Sequence, residues 1–277
     1  MLNWIFLFLS VFATAGLYVF DAVSSFWWLP LLLIGGYVAA LIVYLLFLWV
    51  CTWFLPTKKP ISKPKPFCRF MIWLTMDWLM TLMRIKIELK GLEKMPNEPC
   101  VVVCNHRSGF DPMTLLAVLK TRKIAYISKP SNFKIPLVGP FIFHAGFLSI
   151  DRENGVRALR TLKTAATRMR ETGVDIGIYP EGTRSRTGEL LRFKAGAFVL
   201  AKDADAPIAV MSTKGTELIS QKGLFRSVRV KMEILDIIDR QSVRDLTTEE
   251  LSARSKELIE ISLYGEAKSM KKDVPEA

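Results

Sequence analysis

Apolar residues are concentrated at the start of the chain, and after residue 57 they break into short, alternating runs. Asn3–Phe20 and Leu29–Leu55 are long apolar segments. No charged residue lies between Ala22 and Thr57, and only Asp21 lies before that stretch. As a helix the first segment would rise about 27 Å, close to one hydrocarbon thickness, and the second is long enough to span with tilt. Trp27, Trp28, Trp49 and Trp53 lie near the ends of the second segment, where amphipathic rings favour the headgroup level. Asp21–Ser25 reads as the turn between them. The first segment lacks a Lys or Arg n-region and outruns a typical h-region, which argues against a cleaved signal peptide.

A proline-rich basic stretch follows, with Lys58, Lys59, Lys63 and Lys65 among Pro60, Pro64 and Pro66. By the positive-inside tendency it faces the cytoplasm, so residues 1–57 are expected to anchor the chain as a helical hairpin with both ends inside. Two helices lying in one leaflet would fit the same residues. Phe67–Met83 has helical spacing, with Arg69, Asp77, Thr81 and Arg84 gathered on one side. That pattern suits a buried helix or an interfacial one, and its place after the linker favours the interface. Residues 58–84 are therefore read as a basic linker and an interfacial amphipathic helix.

From residue 85 the period changes. Ile85–Lys90, Cys100–Cys104, Lys123–Ile127, Phe147–Asp151, Asp175–Tyr179, Pro207–Met211 and Val228–Leu235 are short β-branched or aromatic runs, predicted as strands. Helices are predicted at Asp111–Lys120, Asn154–Thr172, Phe193–Asp203 and Thr247–Tyr264, the last with a Thr247/Glu250 capping box. Such alternation predicts that residues 85–277 form an α/β domain with a mixed, largely parallel sheet flanked by helices. Lys268–Ala277 reads as a charged tail.

Charge narrows the partners. The chain carries 38 Lys and Arg against 26 Asp and Glu, and all but one of these follow residue 57. A basic body behind an apolar head suits an anionic membrane surface or nucleic acid. The arginines are scattered over loops with no nucleic-acid motif, which disfavours the second reading. Cys100 and Cys104 would stand about 13 Å apart along a strand, too far for a disulfide, and read as core thiols of a reducing compartment.

Only His106 and His144 can supply an imidazole. His106 follows the apolar run Cys100–Cys104 and precedes a predicted helix, a position where α/β proteins gather functional residues. Asp111 before Pro112 reads as a helix N-cap, a sufficient structural role by itself. A turn could also fold its carboxylate back onto His106 and leave the other ring nitrogen as a base. His144 sits in an apolar run and reads as structural. Tyr179–Gly188 is a glycine-flanked loop with Arg184 and Arg186, suited to a phosphate or to a basic surface turn. Gly146–Arg152 ends in another arginine.

Together, Asn105-His106-x4-Asp111, Gly146 to Arg152 and Tyr179-Pro180-Glu181-Gly182-Thr183-Arg184-Ser185 resemble, in order, the first three motif blocks of the 1-acylglycerol-3-phosphate acyltransferases. Phe193-Lys194-x-Gly196 also matches, and the resemblance runs from about Ile85 to Met211. Tyr179 stands where phenylalanine is commoner, and Val210 where a second proline follows Pro207 in the fourth block. The resemblance implies acyl transfer to the sn-2 hydroxyl of 1-acylglycerol 3-phosphate, giving phosphatidate, with acyl-carrier protein or acyl-CoA as donor. His106 would be the general base, assisted by Asp111. Arg152 and Arg184 would hold the acceptor phosphate, with Lys129 or Lys194. Glu181 would orient an arginine or the glycerol hydroxyl, Gly182 would let the backbone approach the substrate, and Thr183 would bind it with them. No cofactor or metal is implied. Partners would be the bilayer, the lysophosphatidate-type acceptor and the donor, with the domain on the cytoplasmic face of the inner membrane. Alternatives are another lysolipid or glycerol 3-phosphate as acceptor, or a non-catalytic membrane lipid-binding protein.

Overall fold

A computed structural model describes residues 1–265 except 21, 23, 24, 59, 60, 62, 186, 187, 222, 224 and 225. The predicted tail Lys268–Ala277, most of the Asp21–Ser25 turn, and Lys59 and Pro60 of the linker lie outside the described residues.

Helices α1 (Leu2–Val19) and α2 (Leu29–Trp53) pack side by side. Both are long and apolar enough to cross a membrane. In α1 the buried positions are Leu2, Phe6, Ser10 and Thr14, one helical stripe, while Trp4, Phe8 and Phe12 are exposed. Small residues on that stripe let the backbones approach. A Cβ on Gly36 of α2 would lie 2.6 Å from Ser10 Oγ, and close approach of this kind is how apolar helices associate where lipid removes the hydrophobic drive.

Helix α3 (Pro66–Leu82) begins with proline at its first turn, where the missing N–H costs nothing. It is wedged between hairpin and domain. Phe6 packs edge-on against Tyr37, Tyr44 and Trp78, Trp78 Nε1 donates to Tyr37 Oη at 3.0 Å, and Tyr44 Oη lies 2.7 Å from Thr75 Oγ1. On the domain side α3 meets α4 (Asp111–Val118) and α5 (Gly139–His144).

Seven strands among the described residues form one mixed sheet: β1 (Ile85–Lys90), β2 (Val101–Cys104), β3 (Ile124–Ser128), β4 (Leu148–Ser149), β5 (Asp175–Ile178), β6 (Ile208–Lys214) and β7 (Val228–Ile238). Their order is β1-β7-β6-β2-β5-β3-β4, and only the β6–β7 pair is antiparallel. Val101-Val102-Val103-Cys104 is buried throughout, as a parallel strand covered on both faces must be. The neighbours β2, β5, β3 and β4 all run one way, so their carboxyl ends share a single edge. At the other edge Arg122 grips Asp175 through Nε and Nη2 at 2.7 and 2.6 Å, and Asp175 also accepts from Cys100 N, tying the starts of β2 and β5 together.

Helices α6 (Gly155–Thr172), α7 (Val199–Ala204) and α9 (Thr248–Tyr264) fall on predicted segments, and the Thr247/Glu250 capping box is formed. Two further short helices, α5 and α8 (Arg240–Asp245), have no counterpart in the predictions.

Candidate active site

The loop after β2 is fixed from several sides. Asn105, fully buried, extends the β2–β6 pairing with its side chain: Nδ2 donates to Thr213 O at 2.9 Å, and Oδ1 accepts from Thr213 N at 2.8 Å. Ser185 N donates to His106 O at 2.9 Å, joining this loop to the one after β5. Arg107 reaches Glu217 Oε1 and Gly188 O at 3.1 and 2.7 Å.

Asp111 opens α4 but does not cap it forwards. Its carboxylate turns back over the loop. Oδ2 accepts from Arg107 N and Ser108 N at 2.8 Å each and lies 2.8 Å from His106 Nδ1, while Oδ1 accepts from Thr216 Oγ1. The cap reading of Asp111 is therefore corrected: the N-cap residue is Phe110, and the aspartate serves the histidine loop. With 1% of Asp111 exposed, each of these contacts counts in a dry environment. Backbone amides can only donate, so Oδ2 is an acceptor and Nδ1 carries the imidazole proton. In the neutral ring the lone pair is then on Nε2, which has no hydrogen-bond partner among the described residues. The imidazole lies flat on Tyr179, centroids 4.3 Å apart, and Tyr179 is parallel to Tyr126 beyond it. Burial pushes both phenols well above their usual pKa and keeps them neutral.

The Glu181 carboxylate binds backbone amides and is not in the cavity wall. Its Oε1 accepts from His106 N and its Oε2 from Leu191 N. Burial raises its pKa to about 7, against the two amide bonds that lower it. Gly182 has φ +71°, the left-handed region that glycine tolerates, and a Cβ there would press on Lys194 at 3.1 Å. Lys194 thus lies across Gly182, outside the cavity lining, with its backbone N–H on Pro180 O. Arg152 donates through Nη1 to Gly182 O, and the Arg184 guanidinium sits over Gly109.

A cavity of about 710 Å³ joins these groups, with His106, Lys129, Arg152, Thr183 and Arg184 all in its wall. Much of the rest is apolar: Leu45 and Leu48 come from α2, Met71, Ile72 and Met76 from α3, and Leu137 and Ile142 from the α5 region. Volume and lining fit an elongated apolar ligand with one anionic end. The sequence reading missed Thr216 and Tyr126 and gave Asn105, part of its first motif, no role of its own. It also missed that the apolar hairpin forms part of the wall. His144, expected to be structural, is buried and is not in the cavity wall. Its Nε2 donates to Pro56 O at 3.0 Å and its carbonyl accepts from Lys65 N, pinning the linker.

Residues 86–214 match the model of the Acyltransferase family, a span that contains every motif described above. Over this span the chain is similar to that family. The chain is 36% identical over 142 residues to Homo sapiens 1-acyl-sn-glycerol-3-phosphate acyltransferase beta, covering 50% of this chain and 51% of that protein. It is 32% identical over 151 residues to the 1-acyl-sn-glycerol-3-phosphate acyltransferase of Haemophilus influenzae, covering 53% and 62%. The chain spans about half the length of the curated relatives it matches. The crystal structure of the 1-acyl-sn-glycerophosphate acyltransferase PlsC from Thermotoga maritima is similar with a TM-score of 0.60 and 25% identity, over 76% of this chain and 81% of that one. That overlap reaches well beyond residues 86–214.

Proposed function

We propose that the chain transfers a fatty acyl group from a thioester donor, acyl-carrier protein or acyl-CoA, to the sn-2 hydroxyl of 1-acylglycerol 3-phosphate, giving phosphatidate. The observation that carries this reading is His106, backed by the buried Asp111, in the wall of a largely apolar cavity that also holds Arg152 and Arg184. In this reaction Nε2 of His106 takes the proton of the acceptor hydroxyl as its oxygen bonds to the thioester carbonyl carbon. The carbon–sulfur bond then breaks, and the departing sulfur recovers the proton. The Asp111 carboxylate stabilises the imidazolium formed between these events. Arg184 and Arg152, with Lys129, hold the acceptor phosphate, and the walls from α2 and α3 take its acyl chain. Lys194 would act there only by crossing Gly182. The hairpin of residues 1–57 holds the protein in the inner membrane, with the domain on the cytoplasmic face.

The test is turnover with both donor types on lysophosphatidate, glycerol 3-phosphate and other lysolipids. We expect lysophosphatidate to be preferred. His106→Ala should lose at least about a hundredfold in kcat, the low end for a positioned general base, while acceptor binding persists. Near-normal turnover by a folded His106→Ala protein would sink the reading and favour a lipid-binding role.

A further inference from the structure

A second cavity, of about 230 Å³, lies between α3 and the end of α4, divided from the cavity that holds His106 by Ile72, Leu116 and Phe147. Arg69 and Trp73 of α3 form one side, and Lys120 and Lys123 of the α4–β3 turn form the other. Arg122 is also there, but Asp175 engages it. Arg69, Lys120 and Lys123 have no acidic partner among the described residues. Lys120 Nζ lies 6.0 Å above the Trp73 ring. The Trp73 indole N–H is buried with no acceptor among the described residues. An indole nitrogen can only donate, so no rearrangement of cations around it can satisfy it. Any oxygen acceptor would satisfy that donor, and it is the three cations without an acidic partner, Arg69, Lys120 and Lys123, that favour an anionic one.

The rim identifies the kind of molecule. Phe70 lines the cavity and, like Phe67 one turn before it, is exposed. Both follow the linker from the apolar hairpin. The cavity is smaller than the roughly 300–1,000 Å³ of pockets that enclose a whole small molecule. It suits a headgroup whose chains lie outside, along exposed phenylalanines. We infer that the α3–α4 cavity binds the phosphate of an anionic membrane phospholipid, at a site separate from the catalytic cavity. Such a contact would seat the domain against an anionic leaflet, and it does not depend on which acceptor is acylated.

Full-length protein in neutral detergent is titrated with dihexanoylphosphatidylglycerol, dihexanoylphosphatidylcholine and inorganic phosphate, by calorimetry. We expect saturable binding of the phosphatidylglycerol, at least about tenfold tighter than of the other two. Trp73→Phe removes the N–H and keeps a ring. Lys120→Gln/Lys123→Gln removes two exposed charges at little risk to folding. Each should weaken phosphatidylglycerol about tenfold, the loss typical of one charge-assisted contact. The lysine pair variant should keep kcat and KM on the preferred acceptor. Unchanged phosphatidylglycerol binding in the lysine variant would overturn the proposal, as would inorganic phosphate binding as tightly as the lipid. Loss of turnover in the wild type would instead fault the proposed reaction and leave this site standing.

Discussion

Four donors converge on Asp111, and their geometry decides what its substitution should do. Two backbone amides and His106 Nδ1 share Oδ2, while Thr216 donates to Oδ1. In Asp111→Asn the amides select the carbonyl oxygen for the Oδ2 position, so the histidine keeps its tautomer. What is lost is the negative charge that stabilises the imidazolium. We expect kcat to fall about tenfold or more with acceptor KM held, since a charged partner makes the stronger bond. Loss equal to that of His106→Ala would mean that the amide had flipped and fixed the wrong tautomer. Thr216→Val leaves Oδ1 buried and unmet, at about 1–3 kcal/mol of stability by thermal unfolding, with a smaller loss of turnover than His106→Ala. Arg184→Ala should raise the acceptor KM roughly ten- to a hundredfold and the donor KM far less. Equal effects on both substrates would mark Arg184 as structural.

At the scale of elements, Glu181 couples the loop after β5 to the loop after β2. It also makes that coupling sensitive to pH. The unfolded chain releases this proton near the ordinary 4.5, whereas the folded protein holds it up to about 7, chiefly because the carboxyl is buried. Its contribution to stability is therefore full below about 4.5 and is lost as pH rises through about 7. Glu181→Gln should melt lower, because one of the two amides loses its acceptor, and should show a shallower fall in Tm across that window. Parallel Tm curves for the two proteins would contradict the raised pKa. The elements were unequally legible. Runs such as Val101-Val102-Val103 announce strands because parallel strands bury both faces. Helix α5 was hidden by Gly139-Pro140 inside an apolar run, and α8 is a polar six-residue turn whose cap, Asp239, resembles any loop aspartate. His106 and Asp111 were legible because they are five residues apart. Thr216 was not, because only the β2–β6 pairing brings it near, and no local pattern records a contact across 105 residues.

Across the whole molecule, the hairpin and the α/β domain share one cavity. A uniformly apolar helix carries no polar stripe to say which side meets protein, so the part played by Leu45 and Leu48 appears only in three dimensions. On the proposed function this would unite anchoring and substrate access: an acceptor chain leaving the bilayer would meet α2 and α3 before it meets His106. A protein beginning at Lys58 should lose salt- and carbonate-resistant membrane association. It should also lose efficiency on long-chain acceptors more than on a soluble short-chain one, because a wall is gone. Truncation also removes the packing of Phe6 and Tyr44 on α3 and risks unfolding, so Leu48→Trp provides the sharper test. Leu48 is buried at the cavity wall, and the larger ring should raise KM for long-chain acceptors several-fold while leaving a short-chain acceptor and membrane association unchanged. If long and short acceptors respond alike in a folded Leu48→Trp protein, the chain does not run along α2, and the hairpin serves as an anchor alone.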